Sequence, residues 1–211
     1  MKLNAPLVSD YDLQEERINY LSHGIGAVLA FIAGILLIIK GAYLSTGQWL
    51  GLWAYAISMV LLFSASMLYH MATVADRRYF YKKLDHTAIY YLIAGTYTPF
   101  LSIAIPTPKA QYLLIALWII ALIGTLSKLV FINRFHKISL IAYLVMGWLA
   151  VLVIDDMQAY LSNQALTFLL IGGIAYTVGA LFYALKRVRY THAIWHVFVL
   201  IGAGAHFLAI Y

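Results

Sequence analysis

Apolar residues along the chain come in seven long blocks, not in the strict alternation of a half-buried strand or the one-sided stripe of a soluble helix. The blocks cover residues 20–44, 49–72, 85–105, 110–132, 137–155, 165–186 and 191–211. Each approaches the roughly 20 residues a helix needs to cross the hydrocarbon core of a bilayer. The connections are short: "STGQ", "TVADRRYFYKK", "IPTPK", "NRFHK", "DMQAYLSNQ" and "KRVRY". The expected fold class is an all-α integral membrane protein of seven transmembrane helices. Residues 20–211 form one domain, preceded by a short cytoplasmic segment, residues 1–19. Within that segment "LVSDYDLQEERIN" is expected to form a short interfacial helix, with its acidic side either solvated or a binding surface.

Charge distribution then orients the blocks. With the N-terminus inside, the inner connections and helix ends hold Lys2, Arg17, Arg77, Arg78, Lys82, Lys83, Lys128, Arg134, Lys137, Lys186, Arg187 and Arg189. The outer side keeps Lys40 and Lys109. Twelve against two is the positive-inside bias of a protein with its N-terminus in the cytoplasm and its C-terminus outside. Composition agrees: 64% of the residues are hydrophobic and 10% charged, where a soluble domain carries about 25% charged. The net charge of +6 therefore reads as inner loops of a multi-pass protein, and no nucleic-acid partner is expected. There are no cysteines, which excludes disulfides and thiol catalysis. Asp10, Asp12, Glu15 and Glu16 give the region before the first block the wrong sign for a cleavable signal peptide.

Orientation gives every polar residue inside a block a depth. Helix 2 runs inward, so "SASMLYH" brings Ser66 and His70 to its inner end. Helix 3 runs outward from "KLDHTAIYYLIAGTYTP" and starts with Asp85 and His86 on the same side. Helix 7 also runs outward, which puts His192 and His196 of "THAIWHVFVLIGAGAHF" in its first turns, while His23 opens helix 1 at that level. His192 and His196 are four residues apart and share one helix face, as do Ser66 and His70. His206 lies ten residues beyond His196, about 15 Å along the axis, and is expected to pack with a local hydrogen bond. Ionisable residues within membrane segments are costly and mark function by default.

Three neutral imidazoles and a water make the tetrahedral, open arrangement of a catalytic zinc site. Iron, nickel and copper also accept imidazole. Asp85 can orient or deprotonate the water, and Ser66 can donate to it or to an oxyanion. The pair lacks the glutamate of a metalloprotease HExxH, so that mechanism has no support. Pro99 is expected to kink helix 3, and Gly95 and Thr96 to let neighbouring helices approach. Tyr90, Tyr91 and Tyr97 are candidates for a cavity wall, with packing the favoured role.

The same pieces carry a resemblance. "EERINYLSHGIG", "SASMLYH", "KLDHTAIYYLIAGTYTP" and "THAIWHVFVLIGAGAHF" together resemble the haemolysin-III branch of the progestin and adipoQ receptor family, over essentially the whole chain. The resemblance implies a zinc ion held by His70, His192 and His196, with Asp85 reaching it through water. It also implies a multi-pass protein of the plasma membrane, in a bacterium the inner membrane, tied to membrane homeostasis with lipids as partners. Receptor-type relatives look like ceramidases, and similar intramembrane hydrolases share the Ser, His and Asp pattern. The long cytoplasmic N-terminal domain of the animal receptors is missing here.

Three functions follow as expectations. The first is a zinc-dependent hydrolase of lipid amides or esters, with His70, His192 and His196 as ligands and Asp85 and Ser66 as catalytic residues. The second is a haemolysin-like pore or channel, which needs polar lining through the whole membrane, whereas the polar residues crowd its inner third. The third is a non-catalytic, lipid-sensing, receptor-like protein whose metal is structural.

Overall fold

In the computed structural model, residues 11–132, 134, 136–185 and 188–211 are described. Lys2, Lys186 and Arg187, counted above as inner charges, lie outside the described residues. The chain is helical, with no strand among the described residues. The helices are α1 Leu13–Lys40, α2 Thr46–Met71, α3 Ala75–Pro99, α4 Pro108–Phe131, α5 His136–Trp148, α6 Ile154–Tyr160, α7 Asn163–Ala184 and α8 Thr191–Ile210. A π-helical turn, Phe100–Ala104, follows α3, and a 3₁₀ turn, Leu149–Val153, joins α5 to α6.

Local chemistry explains where these helices start. The Asp12 carboxylate accepts from the Gln14 and Glu15 amides at 3.0 and 2.9 Å, so α1 begins at Leu13, ahead of its apolar block. Glu15 and Glu16 in the first turn also suit the positive end of the helix dipole. The interfacial helix expected for this stretch is thus continuous with the first apolar helix. Thr107 and Ser162 cap α4 and α7 through the Ala110 and Ala165 amides at 3.2 and 3.1 Å.

Two helices depart from regular geometry for readable reasons. Pro99 has no amide hydrogen, and just beyond it the ladder widens, with the Ile105 amide bonding to the Phe100 carbonyl five residues back. The fifth block continues to Tyr160 and does not stop at Asp155. The 3₁₀ turn starts a new helix there, and Asp155 and Asp156 occupy its first turn, where carboxylates meet the dipole favourably.

Among the described residues, six helical stretches are long and apolar enough to cross a membrane: Leu13–Lys40, Thr46–Met71, Pro108–Phe131, Lys137–Tyr160, Asn163–Ala184 and Thr191–Ile210. Helix α3 is not among them, because Asp76, Arg77, Arg78, Lys82, Lys83 and Asp85 all fall in its first half.

The packing order forms a ring. Helix α1 packs on α2, α2 on α3, α3 on α4, α5 on α7 and α7 on α8, and α8 closes against α1. At the far end from the histidines, Lys40 of α1 donates to the Tyr211 carbonyl beyond α8. The ring encloses a cavity of about 400 Å³, lined from every helix except α4.

Helices α2 and α3 approach each other closely at Gly95. A Cβ at Gly95 would fall 2.9 Å from the Ser58 Cβ and 3.1 Å from the Ala54 carbonyl oxygen, so only glycine fits there. Gly204 on α8 has nothing within 4 Å of that position. The two glycines should therefore respond oppositely to alanine. Gly95→Ala is expected to cost about 1–3 kcal/mol by overpacking, and Gly204→Ala to gain about 0.5–1 kcal/mol from helix propensity. Thermal melts of both detergent-purified variants check the signs, and equal shifts would refute the α2–α3 contact.

Candidate metal centre

The site is assembled where α1 and α8 begin and α2 ends. His70 is the next-to-last residue of α2, and His192 and His196 occupy the first two turns of α8. Tyr190 turns the chain into α8 with a left-handed backbone, φ 63°, a conformation that a bulky residue adopts only when its surroundings impose it. Thr191 holds that turn by donating to the Leu185 and Val188 carbonyls at 3.0 and 2.8 Å.

The three imidazoles present their Nε2 atoms to one another. His192 Nε2 lies 3.2 Å from His70 Nε2 and 3.1 Å from His196 Nε2. Among the described residues, these three form the group of side chains able to hold a metal ion, with their ligand atoms all within 4.8 Å of one another. The opposite ring nitrogens of two of them are committed as donors. His70 Nδ1 donates to Glu16 Oε2 at 2.5 Å, and His196 Nδ1 donates to the Asn19 carbonyl at 3.2 Å, with Ser22 Oγ 3.3 Å away. A ring that donates through Nδ1 presents a lone pair at Nε2, the form that binds a metal.

This arrangement fits a zinc ion. Zinc–imidazole bonds of about 2.0–2.1 Å in a tetrahedron place neighbouring nitrogens about 3.3 Å apart, close to the 3.2 and 3.1 Å seen here. With His70 and His196 presenting lone pairs at Nε2, the space between the rings suits either the Nε2 proton of His192 or a cation that all three nitrogens ligate.

The other singled-out residues separate cleanly. Ser66 is buried, its hydroxyl hydrogen-bonds to the Asp85 carboxyl, and Asp85 is close enough to His70 to interact with it electrostatically. Asp85 also lies 3.8 Å from His86 Nδ1, but that nitrogen donates to the Lys82 carbonyl at 2.8 Å, within its own helix. Both Ser66 and Asp85 line the cavity, as do His192 and His196. His23 reaches the same layer without joining the triad: its ring stacks on His196 at 3.6 Å between centroids and 9° between planes. His206 stands apart, with Nε2 3.4 Å from the Leu169 carbonyl and its ring packed over Gly172. Tyr97 lines the cavity, and its hydroxyl donates to the Gly147 carbonyl at 2.6 Å while accepting from the Ala150 amide at 2.7 Å. Tyr90 and Tyr91 are packing residues, against Tyr143 and Trp118 respectively.

Sequence reasoning missed the contribution of α1. Glu15 and Glu16, read as a solvated or binding face, are buried, and Glu16 is shared between His70 and Arg78. Arg78, counted as an inner-loop charge, is buried as well and donates onward to the Tyr69 and Ala72 carbonyls at 3.2 and 3.3 Å. A usable signal existed. Glu16, Asn19, His23, Gly26, Ala30, Gly34 and Leu37 advance by three or four residues and form the buried stripe of α1, so the polar residues at its start share a face with the packed core.

Most of the chain matches known proteins. A family model described as "Haemolysin-III related" matches residues 11–207. The chain is 40% identical over 201 residues to "Hemolysin-3 homolog" of Bacillus subtilis (strain 168), covering 95% of this chain and 94% of that protein. It is 40% identical over 199 residues to "Hemolysin-3" of Bacillus cereus, covering 94% and 91%. It is 28% identical over 165 residues to "Monocyte to macrophage differentiation factor" of Homo sapiens, covering 75% and 68%.

At the edge of the site, Tyr11 stacks on His192 at 4.6 Å and 21°, and the next residue, Asp12, pairs with Arg189 just ahead of α8. The Glu15 amide and the Arg189 guanidinium hold the Asp12 carboxyl below its ordinary value of 3.8. A group depressed in this way contributes stability above its unfolded value and loses it as the pH falls through the folded one. Asp12→Asn keeps a capping oxygen and removes the charge. The wild type should melt higher than this variant near neutral pH, and the gap should close below the ordinary carboxylate range. A gap independent of pH would mean that the cap alone matters.

Proposed function

The chain belongs to the haemolysin-III related family of multi-pass membrane proteins, and on that premise we propose that it is a zinc-binding intramembrane hydrolase of lipid amides or esters. The observation that carries this reading is the convergence of three imidazoles, with His192 Nε2 3.2 Å from His70 Nε2 and 3.1 Å from His196 Nε2, beside a largely apolar cavity that His192 and His196 line. A zinc ion held by His70, His192 and His196 supplies Lewis acidity toward water and toward a substrate carbonyl.

The remaining steps belong to the side chains. The Asp85 carboxylate takes the proton of the attacking water and later returns it to the leaving amine or alcohol. The Ser66 hydroxyl donates to the carbonyl oxygen as negative charge builds there. Leu92, Ile93, Phe100, Leu101, Val151 and Leu169 give the cavity apolar walls along which an acyl chain lies. Its volume of about 400 Å³ falls in the range of small-molecule sites, about 300–1,000 Å³. Those walls also weigh against a pore, since beyond the histidine layer they are mainly apolar, with only scattered polar groups such as Thr96, Thr177 and Gln158.

The membrane arrangement that goes with this function has seven crossings, the N-terminus inside and the C-terminus outside. Residues 86–104, spanning the later turns of α3 and the π-helical turn, hold no Asp, Glu, Lys or Arg and would form the crossing in addition to the six apolar stretches. The chain has no cysteine of its own, so single-cysteine labelling tests this directly. Cysteines placed at Ser45 and Thr107 should react with an impermeant reagent on intact cells, and those at Thr73 and Val188 only after permeabilisation. Labelling of positions 73 and 107 from the same side would rule out α3 as a crossing.

The functional test combines metal content and turnover. Detergent-purified wild type should carry about one zinc per chain, and His70→Ala or His192→Ala should lose it with the fold retained. Asp85→Asn should keep zinc and lose about 10²- to 10⁴-fold in hydrolysis of lipid amide or ester substrates, the usual contribution of a general base. Protein purified without chelator that holds no stoichiometric metal would overturn the reading. Hydrolysis undiminished by Asp85→Asn would remove the proton-transfer step.

A further inference from the structure

The first turns of α1 touch all three metal-capable histidines, each in a different way. Glu16 accepts the His70 Nδ1 proton, the Asn19 carbonyl accepts the His196 Nδ1 proton, and the Tyr11 ring stacks on His192 just before the helix begins. None of these residues contributes an atom to the ligand group itself.

Glu16 is the most constrained of them. One carboxylate oxygen faces His70 and the other receives the Arg78 guanidinium. Arg78 in turn bonds to the Tyr69 and Ala72 carbonyls at the end of α2 and lies over the Tyr69 ring, 4.5 Å from its centroid. The same guanidinium thus satisfies terminal carbonyls of the helix that carries His70 and neutralises the acid that orients His70. A carboxylate and a guanidinium this deeply buried are tolerable only as a pair.

We propose that the N-terminal turns of α1, with Glu16 at their centre, position the histidine ligands and raise zinc affinity. Glu16 fixes His70 in the tautomer with its lone pair at Nε2 and makes that nitrogen more basic, while Arg78 holds the carboxylate in place. The Asn19 carbonyl does the same for His196 through the backbone, so the ligands of α2 and α8 are aligned against one rigid element. Glu16 and Arg78 are positioning residues, because they act on the ion through His70. Partners of this kind contribute about 10- to 100-fold in metal affinity. The inference rests on the zinc-site reading proposed above.

The test measures zinc affinity of the full chain in detergent, by competition with a chromophoric chelator. Each protein's zinc-induced rise in melting temperature is read against its own metal-stripped form. Wild type, His70→Ala, Glu16→Gln and the double variant Glu16→Gln/Arg78→Gln are compared. The double variant leaves no buried unpaired guanidinium, so it guards against misfolding of the single one. Both Glu16 variants should bind zinc about 10- to 100-fold more weakly than wild type, with a smaller zinc-induced shift. A merely structural role would lower the metal-stripped melting temperature and leave affinity unchanged. Wild-type affinity in both variants, while His70→Ala abolishes binding, would overturn this proposal and leave the metal site standing. Affinity restored in the double variant would also overturn it, because Glu16 would then serve only to neutralise Arg78. Absence of His70-dependent zinc binding in wild type would overturn the site itself and this inference with it.

Discussion

Three imidazoles meeting inside an apolar helix bundle, with His192 Nε2 3.2 Å from His70 Nε2 and 3.1 Å from His196 Nε2, create the constraint on which the rest depends. Lone pairs at that distance repel, and a bilayer offers little water to screen them. The cluster becomes favourable when a proton or a cation bridges the nitrogens and when the rings of His70 and His196 are held to present Nε2. The first condition makes the layer a candidate metal centre. The second explains why so many polar side chains at the histidine-bearing ends of α1, α2 and α8 are buried and hydrogen-bonded to one another.

The ring of helices satisfies both conditions at once. Closure of α8 against α1 brings the His192–His196 face onto the same stripe of α1 that contacts His70 from α2. Helix α3 then adds Asp85 beside Ser66 at the mouth of the cavity, and the glycine at position 95 lets α3 lie close enough to α2 for that pair to meet. The interrupted geometry of α3 at Pro99 and of the α5–α6 segment at Leu149–Val153 falls along the cavity wall. Broken helices at membrane depth are tolerated where they face an internal space and not lipid.

Much of this was legible in the sequence. Seven apolar blocks gave most of the helical rods, although α1 and α3 begin seven and ten residues before their blocks and the fifth block is split into α5 and α6, and the i, i+4 relation of His192 and His196 with the depth of His70 pointed to the triad. Periodicity worked because each block repeats one simple signal over many turns. The role of α1 was harder to read, because Glu15 and Glu16 stand in a charged segment whose ordinary fate is solvent. Whether such residues are buried depends on partners distant in sequence, here Arg78 and His70. Arg78 was hidden in the same way, since a basic loop looks alike whether its charges face water or a carboxylate. The register of the buried stripe from Glu16 to Leu37 was the available clue, and it becomes persuasive only once the apolar half of α1 is known to pack.

The most direct measurement of the central claim is X-ray absorption at the zinc edge on the purified chain. Three imidazole nitrogens at about 2.0–2.1 Å, with the outer-shell scattering of histidine rings and a light oxygen or nitrogen atom in the fourth position, is the result the account predicts. A spectrum without imidazole scattering, or one unchanged when His192 is replaced by alanine, would contradict it.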